Sequence, residues 1–66
     1  MTDIETETLL EIRRIISLAK AYPPGSIGRN VCDQEVAAST AALVNGDEAA
    51  MRTRLAAMSS MCLTAA

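Results

Sequence analysis

Histidine, phenylalanine and tryptophan are absent from this 66-residue chain, and Tyr22 is its one aromatic residue. Without histidine it lacks the group most often used for acid–base work near neutral pH, and the commonest metal ligand. Cys32 and Cys62 are at most half of a zinc site, and a secreted disulfide framework normally carries more bridges. No Ser/His/Asp or Cys/His set is present, so the chain is expected to be a non-enzyme with no cofactor and no metal. Positive charge is also scarce. Six Lys and Arg stand against eight Asp and Glu, giving a net charge of −2 and a pI of 4.8. The few basic residues do not cluster, which excludes a phosphate-tracking surface, so no nucleic-acid partner is expected.

A long hydrophobic run is missing too. The stretch from Ile15 to Tyr22 is broken by Ser17 and Lys20, far short of the roughly 20 apolar residues a membrane span needs. Met1-Thr2-Asp3-Ile4-Glu5 is acidic where a secretory leader is basic. By elimination the expectation is a cytoplasmic protein without a membrane partner, its thiols reduced. The last residues, Leu63, Thr64, Ala65 and Ala66, resemble the small apolar tails that bacterial ATP-dependent proteases recognise. A fraying, alanine-rich helix end is the simpler account of them.

Half the chain is apolar, and with so few aromatics its core must come from Ile, Leu, Val, Met and Ala. A domain of this size buries a low fraction of its surface and sits near zero net stability on its own. Cys32 and Cys62 are read as small packed apolar groups, with a disulfide or a shared metal site across a symmetric interface as the alternative. Self-association is the leading remedy, so a homo-oligomer is expected.

Local signals predict an all-α chain of three helices, read as one domain over residues 1–66. Thr2 or Asp3 can cap a helix over about 3–22, with Glu5 and Glu7 at the positive end of its dipole. Ile4, Thr8, Ile12, Ile15, Ala19 and Tyr22 recur at three- and four-residue steps on its buried face. A Pro/Gly loop over 23–30 follows, because Pro23, Pro24 and Gly25 cannot continue the helix. A second helix is expected over about 31–45, with Cys32, Val36, Thr40 and Leu43 on one face. Asn45-Gly46 ends it, and Asp47 caps a third over about 47–63 with the stripe Met51, Leu55, Met58 and Cys62. The Asn-Gly-Asp turn makes helices two and three a tight antiparallel hairpin, in which Cys32 falls opposite a position near 60. Alanine at 37, 38, 41, 42, 49, 50, 56 and 57 lets these helices approach closely, as suits a homo-oligomeric bundle.

Two places are candidate sites. The loop before helix two carries Ser26, Arg29 and Asn30 ahead of a helix N-terminus, where free N–H groups attract anions. Tyr22 can stack on a ring across that loop and Lys20 adds a second cation, so an anionic, nucleotide-like small molecule is one possible ligand. The loop matches neither known phosphate-binding glycine pattern, and an ordinary helix connection is its plainer explanation. Leu10, Leu18 and Met61 lie off the predicted stripes, and surplus apolar residues of this kind mark candidate interfaces. The leading functional expectation is therefore a small non-catalytic adaptor or inhibitor, oligomeric, that occupies the surface of another protein. Capture of the anionic ligand at the loop is the alternative.

Overall fold

The computed structural model describes residues 3–61. It contains α1 (Ile4–Ala19), α2 (Ile27–Asn45) and α3 (Glu48–Ser59), with no strand among the described residues. Each helix packs against both others, giving an all-α three-helix bundle.

Asp3 caps α1, its Oδ1 accepting from the Thr6 N–H at 2.8 Å. That backbone bond, joined by a side-chain bond from Thr6, holds the Asp3 carboxyl below its ordinary value. The cap is therefore complete above the usual carboxylate range and is lost as pH falls through the lowered value. Thr8, Ile12, Ile15 and Ala19 are buried along α1, as the spacing predicts, while Ile4 and Tyr22 are half-buried.

α1 ends three residues earlier than predicted. The N–H groups of Lys20, Ala21 and Tyr22 donate to the carbonyls three residues back, at 3.1–3.2 Å. This tightening follows from Pro23, whose ring excludes α geometry at the residue before it. The chain then reverses through Pro23 to Ser26. The Ser26 N–H bonds to the Pro23 carbonyl at 3.1 Å, Pro24 fixes φ, and Gly25 takes a φ of +85° that other residues resist.

α2 begins at Ile27, four residues before its predicted start. Ser26 is the cap, its Oγ accepting from the Arg29 N–H at 3.2 Å. Gly28, Arg29 and Asn30 thus belong to the first turn of α2 and not to the preceding loop. The buried face of α2 also differs from prediction, since Cys32, Ser39 and Ala42 are buried and Thr40 is exposed. Val36 and Leu43 pack at its margin.

The turn to α3 is as the sequence reads. Gly46 is left-handed at φ +64°, its N–H bonding to the Leu43 carbonyl while the Asp47 N–H reaches the Ala42 carbonyl. This paired closure is the Schellman motif, and it satisfies carbonyls that would otherwise be orphaned. Asp47 then caps α3 through the Ala50 N–H at 3.1 Å. Met51 and Met58 are buried and Leu55 is half-buried; Cys62 and the residues after it lie outside the described part of the chain.

α3 stops at Ser59, and its last turn carries no basic residue of its own. Arg14 supplies the charge from α1. Its Nη1 donates to the Met61 carbonyl at 2.8 Å and its Nη2 donates to the Met58 carbonyl. Glu11 holds the same guanidinium from the other side at 3.0 Å. A cation at the negative end of a helix dipole, bonded to its free carbonyls, both caps α3 and ties it to α1.

Candidate functional site

The structure divides the predicted loop site into parts with separate jobs. Ser26 is occupied as the cap of α2, and Arg29 pairs with Asp33 one turn further on, at 3.4 Å. Lys20 and Asn30 are exposed. Tyr22 packs against the core, its ring lying over Gly28. Tyr22 lines a hollow of about 330 Å³ with Leu18, Gly28, Val31, Cys32, Ser60 and Met61, and no charged side chain reaches it. Thus Tyr22 shares this hollow with the candidate interface residues Leu18 and Met61, whereas Lys20 and Arg29 do not line it. Cys32 and Ser60 line the same hollow, whereas Cys62 lies outside the described residues.

Gly28 is the residue that admits the tyrosine ring. A Cβ built there would overlap three ring carbons of Tyr22. Gly28→Ala should therefore expel the ring from α2 and lower stability by about 1–3 kcal/mol, the usual cost of overpacking. Thermal unfolding checks this. A 66-residue domain shifts by roughly 4–8 °C per kcal/mol, and a melt within 2 °C of wild type would show that the ring contact is dispensable.

Of the three interface candidates, Leu18 and Met61 are half-buried and pack on the core cluster of Ile12, Ile15, Ala19, Cys32 and Met58. They serve the fold of one chain. Leu10 differs, being 53% exposed. It borders a groove of about 440 Å³ between α1 and α3, floored by Leu10, Leu55 and Ala56 and edged by Glu7, Glu11 and Ser59. Glu11 is engaged by Arg14, but Glu7 makes no side-chain hydrogen bond or ion pair among the described residues. The groove is thus apolar at its base and negative along its α1 edge.

One polar group was not foreseen from the sequence. Between α2 and α3 the Glu35 carboxylate accepts from Arg54 Nη1 at 3.1 and 3.3 Å and from the fully buried Ser39 hydroxyl at 2.9 Å. The Ser39 oxygen also lies 3.3 Å from Met58 Sδ. No buried side-chain polar atom among the described residues lacks a partner, so this cluster is closed on itself and structural. No group of three or more His, Cys, Asp or Glu among those residues is placed to hold a metal ion. No described helix is long and apolar enough to cross a membrane. No family model, curated protein or solved structure matches the chain.

Proposed function

We propose that this chain is a small non-catalytic interaction protein, an oligomeric adaptor or inhibitor that seats an apolar, basic segment of another protein in the α1–α3 groove. The supporting observation is the groove itself. Leu10 is half-exposed and lines the groove with Leu55 and Ala56, and Glu7, which has no side-chain partner among the described residues, borders it. Apolar side chains left beside an acidic rim suit an amphipathic helix whose polar face carries Lys and Arg. The loop before α2 supports the anionic-ligand alternative less well, because Ser26, Arg29 and Tyr22 each already have a partner within the chain.

The test uses two synthetic 18-residue helices of equal hydrophobicity, one built from Leu and Lys and the other from Leu and Glu. In calorimetric titration the Leu/Lys peptide should bind at least tenfold more tightly than the Leu/Glu peptide. Leu10→Ser should remove that preference, while Val44→Ser, which changes an exposed side chain on α2, should leave it intact. Equal binding of both peptides, or full retention by Leu10→Ser, would refute the groove as a recognition surface.

A further inference from the structure

We propose that two copies of this chain pair through α1 in antiparallel orientation, along a stripe formed by Glu5, Leu9, Ile16 and Lys20. This inference rests on the oligomeric part of the function proposed above and uses a different face of α1 from the groove. At 3.6 residues per turn the four residues fall within about 60° of one another, roughly a quarter-turn from the buried line of Thr8, Ile12, Ile15 and Ala19. Leu9 and Ile16 are 49% and 44% exposed, and Glu5 and Lys20 are exposed. Glu5 and Lys20 make no side-chain hydrogen bond or ion pair among the described residues. The bundle therefore covers only about half of each apolar side chain and pairs neither charge among the described residues.

The order along the stripe is acid, apolar, apolar, base, and it is balanced about a point between Ile12 and Arg13. Leu9 and Ile16 lie about 5 Å to either side of that point, and Glu5 and Lys20 about 11 Å, at 1.5 Å per residue. A two-fold axis there sets Leu9 of one copy against Ile16 of the other, and Glu5 against Lys20, each contact occurring twice. A parallel pair would set Glu5 against Glu5 and Lys20 against Lys20. The charge order thus selects the antiparallel arrangement, which closes as an isologous dimer. Leu43 of α2 shares a surface hollow with Glu5, Thr6 and Leu9, and so extends the apolar strip beside the axis. Arg13 lies on the rim near the axis, where its two copies repel and keep the pair weak. A single helix face on each copy places the contact at the small end of specific interfaces, with a dissociation constant of about 10–100 µM.

Sedimentation equilibrium of the full chain tests this, with the 7.0 kDa monomer in exchange with a species of twice the mass. Glu5→Lys and Lys20→Glu each convert both end contacts from attraction to repulsion, and each should weaken the dimer about tenfold. An equimolar mixture of the two variants should recover dimer of wild-type strength, because each supplies the charge the other has lost. That recovery is beyond the reach of a misfolded variant, and circular dichroism confirms helicity. Leu9→Ser should weaken the dimer as well, with no rescue by mixing. Monomer up to about 1 mM, charge variants as tightly paired as wild type, or a mixture no tighter than its components would each overturn the proposal. None of these readings involves Leu10 or a peptide, so failure here leaves the groove untouched, and loss of peptide preference with the dimer intact condemns the groove alone.

Discussion

Met58→Ala is expected to lower the unfolding free energy by about 3 kcal/mol, within the 2–5 kcal/mol usual for truncating a buried methionine. Met58 is fully buried at the meeting of all three helices, within the cluster of Ile12, Ile15, Ala19 and Cys32. Removing its thioether costs the transfer free energy of the lost atoms and opens a cavity that rigid neighbours only partly fill. Ser39 would retain its bond to Glu35 at 2.9 Å, so the loss is one of packing and not of an unsatisfied hydroxyl. A domain of this size has a total stability of only about 5 kcal/mol. A melting temperature lower by roughly 15 °C is therefore expected. Met58→Leu, which nearly conserves volume, should cost less than about 1.5 kcal/mol. A Met58→Ala protein within about 1 kcal/mol of wild type would mean that the core does not centre where the structure places it.

Arg14→Met should cost about 2 kcal/mol, the range for hydrogen bonds to a charged group. The substitution keeps most of the aliphatic stem and removes the guanidinium that holds the Met58 and Met61 carbonyls. Partial exposure of Arg14, 39% for its side chain, lets water recover some of the loss, which keeps the figure from being larger. Hydrogen exchange gives the sharper readout, since protection in the last turn of α3 should fall much more than protection in α2. Arg14→Lys should recover only part of the stability, because an ammonium cannot span two carbonyls and a carboxylate as the planar guanidinium does. Uniform loss of protection through all three helices would contradict a capping role.

The two effects bear on how much of this fold can be read from the sequence. The α1 face, the Gly46–Asp47 turn and the Met51–Met58 line were legible because each is fixed by contacts between near neighbours: a three- and four-residue period, a glycine at positive φ, an aspartate three residues before a free N–H. The start of α2 was not legible. Ser26 lacks the Glu or Gln three residues on that marks a capping box, and Gly28 lowers helix propensity just where the helix begins. The helix start places Gly28 under the Tyr22 ring, a contact between residues on either side of the turn. The buried face of α2 was hidden for another reason. Alanines at 37, 38, 41 and 42 add little contrast, and polar residues such as Asp33, Gln34, Glu35, Ser39 and Thr40 are spread around the helix, so periodicity cannot set its phase. The Glu35–Arg54 pair and Ser39 against Met58 set it instead.

The candidate sites divide in the same way. By sequence Leu10, Leu18 and Met61 have the same status, off the predicted stripes; in the structure Leu10 is exposed while Leu18 and Met61 pack on the core cluster. Their positions depend on how α3 ends, and that depends on Arg14, 44 residues away from Met58 in the chain. Glycine, Ser26 and Arg29 ahead of a helix suggest an anion site. Moving the helix start back to Ile27 turns the same residues into an N-cap and a surface ion pair with Asp33. The acidic rim of the groove carries no such ambiguity at Glu7, which sits in the first turn of α1 at the favoured end of its dipole whatever else it does.

The most direct test of an interaction protein working through the α1–α3 groove is a nuclear magnetic resonance titration of the nitrogen-15-labelled chain with the Leu/Lys helix. The account predicts that amide shifts concentrate at Glu7, Leu10, Glu11, Leu55, Ala56 and Ser59, which line the groove, and that the Leu/Glu helix leaves them in place. Shifts confined to residues 22–30, or spread evenly over the surface, would contradict it.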